Sequence, residues 1–160
     1  MPPKPIAEGE LHSHFDDVVD FHKRFRIAYL GKPRALPENL HEFRVARLQE
    51  EVDEYKAALV LLDRAVELQD RSRIVAALEA TLDALVDTVY IALGNAHLHG
   101  FDFNEAFARV HRANMAKVRA GDGYLHLSKY DNENDVVKPP GWEAPTHEDL
   151  VADHVYTLAR

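Results

Sequence analysis

Five acidic residues hold the chemistry of this chain: Glu50, Glu51 and Glu54 in one stretch, then Asp83 and Asp87 in a second. At roughly 100° per residue on a helix, Leu48, Val52, Tyr55, Leu59 and Leu62 form an apolar stripe. Glu51 falls roughly 70° from the centre of that stripe, Glu54 about 130° and Glu50 about 170°. The three glutamates fan out along one flank, and Asp53 falls on the other. Taken alone, a run of this kind reads as a solvated helix face.

The second stretch changes the reading. Leu82, Leu85, Val86, Val89, Ile91 and Leu93 point in most directions around a helix axis, and a helix apolar nearly all round is a buried one. Asp83 and Asp87 lie four apart within it, on one face. Buried carboxylates repel each other and lose hydration, at several kcal/mol per ion, so they need a compensating charge. Arg44 and Arg47 on the preceding helix offer ion pairs. A divalent cation is the other solution, and a set of carboxylate oxygens suits magnesium better than zinc. Such a centre would serve phosphate chemistry, by screening charge and lowering the pKa of a bound water. A remaining glutamate would then take the proton.

The elements that must carry these residues are helical. Apolar spacing predicts a helix over about residues 15–30, ended by Gly31-Lys32-Pro33. A second should start near Pro37 or Glu38 and run to about Gln69. A third should begin after Ser72 as cap and stop at Gly100. Asp102 or Asn104 can cap a fourth ending near Val118. Gly121-Asp122-Gly123 is a turn, and residues 147–158 read as a last helix capped by Thr146. Val136-Val137 has extended character, but no sheet is expected. The fold class expected is therefore all-α, a four- to five-helix bundle. Residues 1–14 read as an N-terminal extension, 15–120 as the catalytic domain and 121–160 as a C-terminal loop and helix. A helix apolar all round needs cover from a second copy, so a homodimer is expected, with a tetramer as the alternative.

Composition narrows the class. Apolar residues make up 46% of the 160, enough for a real core in one domain. The absence of cysteine removes thiolate metal sites and disulfides. A net charge of −8 without a Lys/Arg run argues against a nucleic-acid polymer as partner. The N-terminus lacks the apolar core of a signal peptide, and no apolar run reaches bilayer length. A cytoplasmic setting without membrane attachment is the expectation.

Arg47-Leu48-Gln49-Glu50-Glu51-Val52-Asp53-Glu54, followed by Asp83-Ala84-Leu85-Val86-Asp87, resembles the MazG-like all-α nucleotide pyrophosphohydrolases. That superfamily also holds dimeric dUTPases and phosphoribosyl-ATP pyrophosphohydrolases. Val110-His111-Arg112-Ala113-Asn114-Met115-Ala116-Lys117 is similar to the family's following helix, and Val137-Lys138-Pro139-Pro140-Gly141-Trp142 to a C-terminal segment of several members. The resemblance spans about residues 15–145. It departs at the second acidic pair, where the family has Glu-x-x-Asp: Ala84 stands three before Asp87, and Asp83 stands four before it.

The resemblance implies magnesium (manganese as substitute) held by Glu51, Glu54, Asp87 and, as a substituted fourth ligand, Asp83. It implies Glu50 as the base, with Glu51 able to exchange roles. Asn114 and Lys117 would contact the nucleotide, with Lys138, Trp142 and Arg47 as further substrate contacts. Trp142 would either stack on a base or pack the tail. The implied reaction converts a (deoxy)nucleoside triphosphate into the monophosphate and pyrophosphate. A phosphoribosyl-ATP substrate is an alternative, as is a regulatory nucleotide- or metal-binding module without turnover. Of the ten histidines, His97 and His99 fit a helix C-terminus, where the dipole favours positive charge.

Overall fold

The computed structural model describes residues 13–155. They divide into two compact units, one comprising residues 13–101 with 154–155, the other Asp102–Asp153. The expected N-terminal extension lies outside the described residues apart from Ser13 and His14, and so does the end of the expected last helix, at 156–158.

The first unit is built on three helices: α1 (His14–Arg24), α2 (Glu38–Glu67) and α3 (Arg71–Leu98). Ser13 and Asp16 close a reciprocal capping box at the start of α1, a device worth about 1 kcal/mol. The helix stops six residues before the expected Leu30. Arg26 adopts a left-handed backbone, φ 58°, and tertiary bonds replace helical ones beyond it. The Tyr29 backbone N–H donates to His97 Nε2 at 3.1 Å, and Arg34 Nε donates to the Leu98 carbonyl at 3.0 Å.

Helices α2 and α3 form an αα-hairpin joined by Leu68, Gln69 and Asp70. Asp70, not Ser72, caps α3, its carboxylate accepting from the backbone of Ser72 and Arg73. The seam between them is made of small residues seven apart. Ala58 and Ala65 are buried on α2, and Ala77 and Ala84 on α3, which lets the two backbones approach closely. Glu51 occupies the same heptad row as Ala58 and Ala65. One heptad earlier, Arg44 crosses the seam: Nε donates to Asn95 Oδ1 at 2.6 Å and Nη2 to the Ile91 carbonyl at 3.2 Å. Gly94 makes room for that crossing, since a Cβ there would lie 2.7 Å from Arg44 Nη2 and 3.1 Å from His22 Nε2. Gly100 takes the expected stop after α3, with φ 73°.

The expectation that α3 is buried all round is corrected. Leu82, Val86 and Val89 are more than half exposed, and Asp83 and Asp87 are exposed as well. Two helices of the same unit, α1 and α2, pack against α3, and two neighbours cannot cover a cylinder.

The second unit contains α4 (Phe103–Met115), capped by Asp102, and a short α5 (Glu148–Val151). The boundary between the two units falls at Asp102, ahead of α4. Arg109 ties α4 to the tail through a two-pronged pair with Asp149, at 2.6 and 2.8 Å, and a bond to the Thr146 carbonyl. Val136-Val137, read as extended, forms β2 (Val136–Val137), and it pairs antiparallel with β1 (Val118–Arg119) in a two-stranded ladder that the sequence reading did not expect. Each is too short for alternation to reveal. No helix among the described residues is long and apolar enough to cross a membrane.

Candidate functional site

The acidic cluster centres on Glu51. It is 5% exposed, the only buried carboxylate among the described residues, because its place in the Ala58/Ala65 row turns it into the α2/α3 seam. Burial is the main cause that raises its carboxyl above the ordinary range. The negative charges of Glu54 and then Asp87 add to the effect, Glu50 contributes less, and Arg47 opposes it. Glu54 and Asp87 therefore act on the same carboxylate from two different helices.

Arg47 serves this cluster directly. Its Nη1 donates to Glu50 Oε2 and its Nη2 to Glu51 Oε1, the latter at 3.2 Å. One guanidinium thus spans the two adjacent glutamates and partly neutralises the buried one. Arg44, the other arginine considered for the aspartates, is engaged with Asn95 and Ile91 instead. No ion pair joins either arginine to Asp83 or Asp87.

The two aspartates part company. Asp87 is among the charges that act on Glu51, and Asp83 is not. Asp83 lines a separate hollow with Glu79, one turn before it on α3. The position that in the family pattern carries glutamate is Ala84, and it is 4% exposed in the seam. Ala84 and Asp83 are about 100° apart around the helix, which is why the side chain facing the seam and the side chain bearing the carboxylate are different ones. Glu79 was missed in the sequence reading, although its i, i+4 spacing to Asp83 places it on the same stripe.

Glu50 and Glu54 line an open hollow along α2 together with Gln49 and Asp53. Asp53 is held within its own helix by Lys56 and Gln49, each at 2.9 Å. Among the described residues no three side chains of His, Asp or Glu converge as a ready-made metal cage. The donor set still fits a hard divalent cation in kind: it is all carboxylate oxygen, and the buried Glu51 carboxylate is destabilised by its acidic neighbours, the condition a cation relieves.

Behind the cluster lies a polar core that links α1 to α3. His22 is 2% exposed, its ring 5.0 Å from that of His97. Burial first, then His97 and Arg44, lower its pKa from 6.5 to about 4. His97 accepts a backbone hydrogen bond through Nε2, and burial lowers its pKa too. It is a neutral packing group rather than the dipole-stabilised cation expected at that helix end.

The remaining expected contacts belong to the second unit. Asn114 is exposed near the end of α4. Lys117 and Lys138 place their Nζ atoms 5.6 and 4.6 Å from the centre of the Trp142 ring. Trp142 Nε1 donates to the Ala113 carbonyl at 2.7 Å, anchoring the tail to α4.

Two comparisons with known proteins bear on this geometry. The family described as phosphoribosyl-ATP pyrophosphohydrolase matches residues 18–114, more than half of the chain. That span includes all five acidic residues and Asn114, and ends before Lys117, Lys138 and Trp142. No curated protein matches the chain significantly.

Proposed function

The chain belongs to the phosphoribosyl-ATP pyrophosphohydrolase family, within the MazG-like all-α pyrophosphohydrolases, and from that premise we propose a specific reaction for it. The class is a hydrolase acting on phosphoric anhydrides, with a nucleotide as substrate. Within that class, our reading is hydrolysis of a (deoxy)nucleoside triphosphate to the monophosphate and pyrophosphate. The observation that carries it is Glu51: a carboxylate buried in a helix seam, its proton affinity raised by Glu54 and Asp87.

In this reading Glu51, Glu54 and Asp87 hold magnesium or manganese, and Asp83 contributes from further round α3. The ion supplies charge neutralisation of the polyphosphate and polarisation of water. Glu50 takes the proton of the attacking water. It is half exposed and steadied by Arg47, so water can reach it while Glu51 stays committed. The water oxygen bonds to one phosphorus of the α–β anhydride, the bridging P–O bond breaks, and its electron pair leaves with the group on the other side, so that the products are the monophosphate and pyrophosphate. Arg47 keeps the two adjacent glutamates in separate roles by binding both.

A second reading takes phosphoribosyl-ATP itself as the substrate, and the description of the matching family favours it. Both readings break the same kind of bond and release pyrophosphate. Pyrophosphate release should therefore be assayed across the nucleoside triphosphates, their deoxy forms and phosphoribosyl-ATP, with magnesium. Turnover of one of them, abolished in Glu51→Gln with the helical spectrum retained, supports the reaction. Metal binding without release from any substrate leaves the non-catalytic module as the better account.

We further propose a homodimer. Leu78, Leu82, Leu85 and Val89 recur at heptad-like spacing on α3, each at least 44% exposed, and a second copy would cover them.

A further inference from the structure

The carboxylates assigned to the metal are divided between two helices: Glu51 and Glu54 on α2, Asp87 on α3. Their separation therefore depends on how far α2 has slid along α3, and one residue of slip is about 1.5 Å. Magnesium tolerates little of that, because its octahedral shell is close to ideal, at about 2.0–2.1 Å. Ala58, Ala65, Ala77 and Ala84 bring the two backbones together, but alanines raise only low ridges to resist sliding.

Arg44 supplies what that seam lacks. Among the described residues its two bonds are the only side-chain hydrogen bonds that join α2 to α3: Nε donates to Asn95 Oδ1 at 2.6 Å and Nη2 to the Ile91 carbonyl at 3.2 Å. Ile91 is one turn beyond Asp87, and Arg44 is two turns before Glu51. The donors sit in a rigid planar fork, so both bonds hold at one register only. The guanidinium has no carboxylate partner among the described residues. Burial first, and then the charge of Arg47, lower its pKa from the ordinary value. A partly desolvated charge without a counter-ion costs stability, so hairpin stability does not account for its place. Gly94 keeps that place open, since a Cβ there would lie 2.7 Å from Arg44 Nη2.

We propose that Arg44 and Asn95 are positioning residues: they pin the register of α2 against α3 and so hold Asp87 where a magnesium ion bound by Glu51 and Glu54 requires it. The inference rests on the metal-dependent reading of the acidic cluster. A loosened register costs selectivity more than affinity. Calcium takes more oxygens at longer and more variable distances than magnesium does, so it tolerates carboxylates that magnesium finds misplaced.

The test is calorimetry on the full chain without nucleotide, with magnesium and calcium as separate probes. Asn95→Leu removes the acceptor. Gly94→Ala leaves Arg44 and Asn95 intact but pushes the guanidinium aside, and it substitutes a better helix former. Each should weaken magnesium binding by about tenfold and calcium binding by about twofold or less. Asn95→Asp keeps the acceptor and should keep the parent's ratio of magnesium to calcium affinity, whatever its added charge does to both. The helical spectrum and melting temperature show which variants fold, and Gly94→Ala decides the matter if Asn95→Leu does not. A parent-like ratio in either folded variant, whether or not overall affinity falls, overturns the pin and leaves the magnesium reading standing. A parent protein that does not bind magnesium overturns that reading, and the pin falls with it.

Discussion

Arg47 Nη2 donates to Glu51 Oε1 at 3.2 Å, and the same guanidinium donates to Glu50. The arginine is part of α2 itself, one turn before the glutamates it holds. It therefore acts first on the geometry of the acidic pair, whatever it contributes to the substrate.

Arg47→Ala should consequently lower kcat more than it raises KM, by about ten- to a hundredfold, the range seen when partners of ligating groups are removed. Arg47→Lys should recover little, because an ammonium cannot span two carboxylates as a fork does. Steady-state kinetics checks this. A rise in KM with kcat unchanged would mark Arg47 as a substrate contact instead.

Asp87 and Asp83 should separate in the same assay. Asp87 acts on Glu51 across the helix seam and Asp83 does not. Asp87→Asn should reduce kcat/KM by about a hundredfold or more, and Asp83→Asn by about tenfold or less. Equal losses would mean that both carboxylates reach the metal.

Two buried groups predict opposite pH trends in metal-free protein. Glu51 has its pKa raised in the fold, so the stability it contributes is present below about pH 4.5 and is lost as pH rises through the raised value. His22 has its pKa depressed from 6.5 to about 4, so its contribution is present above 6.5 and lost as pH falls toward 4. The His22 effect is on the order of 3 kcal/mol. Urea denaturation in EDTA should show Glu51→Gln more stable than the parent at pH 7, and with EDTA left out the variant should be unresponsive to added magnesium. His22→Leu should flatten the decline between pH 6.5 and 4. A parent-like slope in His22→Leu would assign that decline to other groups.

The exposed row on α3 predicts assembly. Sedimentation should give a dimer, and Leu82→Arg should shift it toward monomer at micromolar concentration, since a charge buried in an apolar interface lacks compensation. A monomeric parent protein would leave Leu78, Leu82, Leu85 and Val89 facing solvent, and the proposed dimer would fail.

Local order was legible in the sequence. The start of α2 at Glu38, the Asp102 cap and the Gly100 stop all follow from residues within a few positions of one another, and the family resemblance from short motifs read in order along the chain. The acidic residues were legible too, but not their inequality. The linear pattern favoured the aspartates of α3 as the buried pair, and the fold buries Glu51 instead, because it shares a seven-residue row with Ala58 and Ala65 along the hairpin seam. The early end of α1 depends on His97, 68 positions from Tyr29. The pairing of Val118 with Val137 depends on a register between segments well separated in sequence. Periodicity is a property of one segment and can be read along the chain. Which side of a helix is covered, and which charges meet, is set by the packing of separate segments, and only the tertiary structure decides it.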